Sequence, residues 1–304
     1  MTRLRFGLLG TGYWAIEAHG AALVSSPYAE LTGVWGRDPA KAERAAGQLG
    51  ATSYADLGEL LLSVDAVAIA VPPDVQAVLA LRAARAGRHL LLEKPLALDV
   101  HAAEALARST DEAGVACVIF FTHRFNSVIE RWATEAATAG PWHSAHLVHY
   151  ANIFQPGDPF GHSLWRRERG ALWDVGPHGL ASILPIMGRV SSVAAWRGPS
   201  GSDTVHVVLS HGGRSASTMS LSLTMPPAAG ANSLTLYGEK GVWRRPESPV
   251  ETREALGLAI HDLANMVATG ERRHRCDASF GLEVVRVLAA AEQALELPAA
   301  VELR

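Results

Sequence analysis

Arg5-Phe-Gly-Leu-Leu9, running without a break into Gly10-Thr11-Gly12-Tyr13-Trp14-Ala15, decides how this chain is read. A short apolar run that ends on two glycines and passes into a helix-length segment has the order strand, tight turn, helix. In that order Gly10 allows the turn, Gly12 lets a diphosphate approach the backbone, and Ala15 permits close helix–strand packing. The helix start behind Thr11, Tyr13 and Trp14 then offers N–H groups and a positive dipole end to phosphate oxygens. The turn is a candidate dinucleotide site, and its weight depends on the segments downstream of it.

Those segments alternate. Apolar runs at 4–9, 30–35, 66–71, 89–93 and 115–121, with a weaker one at 52–54, are separated by helical patterns at 14–25, 39–49, 56–62, 74–86 and 99–113. Strands that are apolar throughout and separated by helices belong to a parallel sheet covered on both faces. Residues 1–123 therefore read as a doubly wound α/β domain. From 124 to 304 the rhythm changes. A helix at 127–139 ends at Gly140-Pro141, and period-two runs come after it with Gly-rich turns. Two hairpins are expected, one about His211-Gly-Gly-Arg214 and one about Gly238-Glu-Lys-Gly241. Helices at 252–269 and 277–297 close the chain and could pack back on the first domain. The second domain is expected to be α+β with a large open, mainly antiparallel sheet.

Composition narrows the class. The 304 residues are 48% hydrophobic and carry a formal charge of −3, which excludes disorder and gives no footprint for nucleic acid or a membrane surface. No run approaches the ~20 apolar residues of a spanning helix. Cys117 and Cys276 form no CxxC pair, which fits a reducing cytoplasm. No metal site is expected, since His146 and His149 would point to opposite faces of a strand.

The end of the second strand chooses between cofactors. An acidic residue there hydrogen-bonds the ribose of NAD, whereas an arginine accommodates the 2′-phosphate of NADP. Here Gly36 occupies the acidic slot and Arg37 is next to it, while Asp38 before Pro39 reads as a helix cap. NADP is expected in preference to NAD.

The chain has 24 arginines and only three lysines, Lys41, Lys94 and Lys240. Lys41 and Lys240 read as ordinary solvated positions. Lys94 ends the run His89-Leu-Leu-Leu-Glu93-Lys94-Pro95, at the carboxyl edge of the sheet where open α/β folds bind ligands. In the second domain, Asp174 and His178 stand four apart in Gly170-Ala-Leu-Trp-Asp174-Val-Gly-Pro-His178, with Pro177 favouring a helix start. An imidazole can take a hydroxyl proton while a carboxylate fixes its tautomer.

Taken together, Gly10-Thr-Gly12, Val71-Pro72-Pro73, Glu93-Lys94-Pro95, Thr122-His-Arg124-Phe125 and Gly170…Asp174…His178 resemble the Gfo/Idh/MocA family of NAD(P)-dependent oxidoreductases, over essentially the whole chain. The resemblance implies a Rossmann domain and places the lysine of Glu-Lys-Pro beside nicotinamide and substrate, often before a cis proline. It implies Asp174 as orienting group and His178 as general base, with Lys94 completing the set. It also points to Val71, Pro72, Gln76, Glu93, Arg124 and Trp165 as cofactor-side residues. Two departures stand out. Gln76 replaces a histidine found in many members, and Gly179 and Ala181 replace an acidic residue after the histidine, which weakens inositol as substrate. Trp165, Phe154 and Phe160 are candidates to line a substrate pocket.

The activity this implies is hydride transfer between nicotinamide and a secondary alcohol or ketone carbon of a sugar, cyclitol or sugar nucleotide, by a cytoplasmic homodimer or homotetramer assembled through the C-terminal sheet. Two rivals from the same family are a cofactor-bound metabolite sensor without turnover and an NAD-dependent glycosidase.

Overall fold

The computed structural model describes residues 3–155, 157–212, 215–249, 251–297 and 299–303. The chain divides into two units: the described residues of Met1–Phe125 with Val250–Leu282, and those of Asn126–Pro249 with Glu283–Arg304.

In the first unit, β1 (Leu4–Leu9), β2 (Ala29–Trp35), β3 (Thr52–Tyr54), β4 (Ala66–Ile69), β5 (His89–Glu93) and β6 (Cys117–Phe120) form one sheet in the order β3-β2-β1-β4-β5-β6. All its pairings are parallel. This is the Rossmann order, with the reversal between β1 and β4 where such sheets bind ligands. All four residues of β4 and all four of β6 are buried, as a sheet covered on both faces requires.

Helices α1 (Ala21–Ser25), α2 (Pro39–Leu49), α3 (Leu57–Ser63), α4 (Pro73–Arg85) and α5 (Val100–Glu112) return the chain between strands. Asp38, Asp56 and Asp99 each accept the N–H three residues on, which fixes the starts of α2, α3 and α5. The helix expected at 14–25 differs in kind: a π-helical turn, Ala15–Gly20, precedes α1. Hydrophobic spacing cannot separate a single π turn from an α-helix, because both present apolar residues at intervals of about four.

The second unit holds α6 (Ser127–Ala139), β7 (Trp142–Tyr150), α7 (Leu164–Asp174), α8 (Gly176–Met187), β8 (Ser192–Arg197), β9 (Val205–His211), β10 (Ser215–Ser222), β11 (Ala231–Gly238), β12 (Gly241–Arg244) and β13 (Val301–Glu302). Its seven strands run β12-β11-β7-β10-β9-β8-β13. β7 and β10 pair in parallel and every other pair is antiparallel, so the sheet is mainly antiparallel, as expected. Both expected hairpins are present. Gly213 and Arg214, in the turn of the first, lie outside the described residues.

Helix α8 packs on β7 and β10, with α6 against α8 and α7 on β10. The opposite face carries Ser144, His146, His206, Thr218 and Ser220, all at least partly exposed. After the second sheet, α9 (Thr252–Thr269) packs on β5, β6 and α1 within the first unit, and α10 (Ala278–Ala294) comes after it.

His89, at the head of β5, accepts the Ala116 N–H at its Nδ1, 3.0 Å away. Burial holds its imidazole below the usual range, and Arg272 and Arg88 add to that. A depressed histidine is protonated more readily in the unfolded chain, so its contribution is complete above the unfolded value and fades as pH falls through the folded one. The melting temperature of the wild type should therefore fall from about pH 6.5 to 5. His89→Gln should flatten that slope, and an unchanged slope in a melting series across that range would remove His89 as its source.

Candidate functional site

The glycine turn is shaped by a backbone crossing. Gly10 lies at φ +138°, and a Cβ there would stand 2.5 Å from the Ala70 carbonyl oxygen, so only glycine fits where β1 passes the end of β4. At Gly12 a Cβ would meet nothing within 4 Å, so the surface above it is open. The Ile16 N–H already bonds the Gly12 carbonyl at 3.1 Å, while Tyr13 on the turn is exposed. The Gly10 N–H bonds the Trp35 carbonyl at 3.0 Å and ties the turn to the end of β2.

At the end of β2 a Cβ on Gly36 would stand 2.5 Å from Thr11 Cγ2, so an acidic side chain in that slot requires Thr11 to move. Arg37 next to it is exposed. A cavity of about 310 Å³ beside the turn is lined by Thr11, Ile16, Lys41, Arg44, Ala45 and Gln48. Lys41 is exposed, as the sequence suggests, and also lines this cavity, and Arg44 is a lining residue that the motifs do not single out. Their spacing of three on α2 puts both on one helical face, a signal that the sequence carries but that the cap at Asp38-Pro39 overshadows.

The end of β5 is held from several sides. Gln76, fully buried on α4, donates from Nε2 to the carbonyls of Glu93 (2.7 Å) and Pro95 (3.0 Å), and its Oε1 accepts the Glu93 N–H at 2.9 Å. Between these contacts the Lys94-Pro95 peptide is cis. Gln76 thus bonds the backbone on both sides of Lys94. Pro72 caps α4, its carbonyl accepting the N–H groups of Val75 and Gln76, and Val71 precedes it half-buried.

The Glu93 carboxylate is 13% exposed. Its Oε1 accepts from Trp14 Nε1 at 2.6 Å and bonds His19 Nε2 at 2.8 Å, and its Oε2 accepts the Lys94 N–H at 3.2 Å. Burial by itself would raise the carboxyl, but His19, Trp14 and the Lys94 charge together hold it below the ordinary carboxylate range. His19 is a site residue that the sequence motifs do not reveal. Arg124 is buried in the short 3₁₀ turn Thr122–Phe125, with its guanidinium 6.0 Å from the centre of the Phe280 ring.

In the second unit Gly170, at φ +62°, breaks α7. Asp174 ends that helix, buried, and its Oδ2 accepts Arg166 Nε at 3.1 Å. The Arg166 guanidinium lies 4.6 Å from the Trp165 ring centre and 4.8 Å from that of Phe160, and Arg167 lies 4.5 Å from Phe154. The rings expected to line a pocket therefore carry stacked arginines. His178 sits in the first turn of α8, where its carbonyl accepts Ser182 Oγ, and its half-buried ring is 6.3 Å from that of His149. His149, also missed, is placed there by the two-residue alternation of β7, while His146 bonds Ser144 on the outer face. A Cβ on Gly179 would stand 3.0 Å from Met219 Sδ and 3.2 Å from Leu147, so that position faces the core and has no room for a carboxylate. Among the described residues no group of three His, Cys, Asp or Glu could hold a metal ion.

The structure thus gathers the glycine turn, Gly36, Gln76, Glu93 and Lys94 at the carboxyl edge of one parallel sheet, and Trp165, Arg166, Asp174 and His178 within the other unit. The first set fits a dinucleotide: an open surface over Gly12, a turn that excludes side chains at Gly10, and two cations lining a cavity beside Thr11.

Fold and turn define a dinucleotide-binding protein of Rossmann type with an α+β companion domain. Residues 4–121 match the model of an oxidoreductase family with an NAD-binding Rossmann fold, and residues 133–244 match the GFO/IDH/MocA C-terminal domain. The chain belongs to the Gfo/Idh/MocA oxidoreductase family. It is 35% identical over 124 residues to an inositol 2-dehydrogenase of Rhizobium meliloti, covering 40% of this chain and 37% of that one. To the D-xylose 1-dehydrogenase (NADP(+)) 2 of Haloferax volcanii it is 33% identical over 138 residues, 44% of this chain and 42% of the relative. The matches thus span less than half the length of these curated relatives. An oxidoreductase domain protein from Kribbella flavida has the same fold throughout, with TM-score 0.86, 25% identity and 100% coverage of both chains.

Gln76→Leu keeps the volume but strands the Glu93 N–H and two carbonyls. Denaturant unfolding should show a loss of about 1–3 kcal/mol, and an unchanged midpoint would mean the backbone finds other partners.

Proposed function

We propose that this protein is an NAD(P)-dependent dehydrogenase or reductase acting at a secondary alcohol or ketone carbon of a sugar-type substrate, with NADP preferred. The observation that carries the reading is the bonding of Trp14 and His19, from the segment just after the glycine turn, to Glu93. It supports Lys94 as a neighbour of whatever dinucleotide the turn binds. Gly10, Thr11, Gly12, Tyr13, Trp14 and Ala15 would hold the diphosphate, and Val71, Pro72, Gln76, Glu93, Arg124 and Trp165 would border the cofactor. Bound, the nicotinamide supplies the two-electron redox chemistry.

Everything else falls to the chain's own residues. In oxidation the His178 imidazole takes the substrate hydroxyl proton on a ring nitrogen, and Lys94 Nζ bonds the same oxygen and steadies the charge it develops. Reduction reverses the transfer. Asp174, buried and bonded to Arg166 at the end of α7, is the group proposed to orient the His178 imidazole. Positioned proton transfer of this kind is worth about 10²–10⁴ in rate.

Preference for NADP is supported by Arg37 at the end of β2, by Lys41 and Arg44 lining the cavity beside Thr11, and by the tight fit of Gly36 against Thr11. A substrate other than inositol is supported by the core-facing position of Gly179. The open face of the second sheet, with Ser144, Thr218 and Ser220, supports association of like subunits through it, and two buried cysteines suit a reducing cytoplasm. The sensor and glycosidase readings gain nothing from the curated relatives, which are named as dehydrogenases.

Lys94→Ala should lower turnover about 10²-fold or more while NADPH affinity, read by fluorescence titration, stays within a few-fold. A variant with wild-type turnover would sink the catalytic lysine. The same titration on the wild type should give NADPH about tenfold tighter than NADH, with Arg37→Ala narrowing the gap. A preference for NADH would reverse the cofactor assignment.

A further inference from the structure

Trp14 and His19 are five residues apart, and in an α-helix side chains with that separation point about 140° away from each other. Here the turn between them is π-helical, Ala15–Gly20, and its wider winding of roughly 4.4 residues per turn narrows that angle to about 50°. The outcome is convergence on one atom: both side chains bond Glu93 Oε1, at 2.6 and 2.8 Å. The other carboxylate oxygen takes the backbone N–H of Lys94.

His19 is completely buried, lies edge-on to Phe120, and its Nδ1 meets no hydrogen-bond partner among the described residues. Its side-chain hydrogen bonding among those residues goes to Glu93. A buried imidazole with one nitrogen unsatisfied is a poor way to fill a core, since leucine would fill it without the penalty. Its value lies in the nitrogen that is bonded.

We propose that Trp14, His19 and Glu93 form a tether between the glycine turn and the backbone of Lys94, so that a dinucleotide seated on the turn adjusts the pose of the Lys94 side chain without touching it. These three are positioning residues. The proposal rests on the functional reading above in taking the glycine turn as a dinucleotide site.

Because the chain has three lysines, protein labelled with ¹³C at the lysine ε-carbon gives three signals, assigned by Lys→Arg substitutions. The probe is adenosine 2′-phosphate 5′-diphosphate, which has the diphosphate and adenosine of NADP but neither the second ribose nor the nicotinamide ring to reach Lys94. In the wild type both the Lys41 signal, beside Thr11, and the Lys94 signal should shift. In His19→Phe the Lys41 shift should persist and the Lys94 shift should shrink about threefold or more, whereas His19→Gln, which can still donate to Glu93, should retain the wild-type response.

A Lys94 shift unchanged in His19→Phe would overturn the tether, as would a wild type in which Lys41 responds and Lys94 does not. Should neither lysine respond, the turn is not a dinucleotide site and both readings fall. Wild-type turnover in Lys94→Ala would remove the catalytic role of the lysine while leaving the transmitted shift, and hence the tether, standing.

Discussion

A carboxylate taken out of water must have its charge answered, and the answer given to Glu93 organises the carboxyl edge of the first sheet. Trp14, His19 and the Lys94 N–H all direct donors at it. The bonds from His19 and Trp14, with the Lys94 charge, outweigh the burial that by itself would raise the carboxyl. The segment after the glycine turn is thereby joined to β5 across the end of β4, by side-chain bonds rather than by sheet hydrogen bonds. Gln76 secures the same strand end from α4, bonding the backbone on either side of Lys94. A lysine carried on backbone clamped in this way is more narrowly directed than one on an ordinary loop, and orientation is much of what catalysis by positioned groups requires.

The departures from the family pattern acquire physical reasons in this setting. Gln76 stands where many members carry histidine, and its amide offers both donors and an acceptor, which here meet two carbonyls and one N–H. Gly179, in place of an acidic residue, faces Met219 and Leu147 in the core of the second unit, where a carboxylate would be buried without a partner. The glycine at position 36 is likewise pressed against Thr11. Each substitution is consistent with its surroundings, so these are features of a settled packing rather than erosion of a site.

Much of the order of strands and helices was legible. β1, β3 and β5, and the helices α2, α6 and α9, have the bounds read from the sequence, because apolar runs flanked by Asp or Asn caps, Gly and Pro leave little choice of end point. Less legible were features that depend on residues distant in the chain. The π turn at Ala15–Gly20 has the same apolar spacing as an α-helix. The parallel pairing of β7 with β10 joins strands some seventy residues apart in the numbering. His19 and His149 look, in a chain with thirteen histidines, like any others.

What the amino-acid order determined by itself was the alternation of strand and helix, the glycine turn and the family to which these belong. All arise from local rules: hydrophobic period, capping, and the φ that only glycine tolerates. What the tertiary structure alone decided was which side chains share an atom. Trp14, His19 and Lys94 meet at Glu93, Arg166 meets Asp174 between two rings, and Lys41 and Arg44 turn to one cavity. Such meetings are set by strand order and helix phase, and a one-residue change in helical winding moves a side chain by about 100°, a difference the one-dimensional pattern does not record.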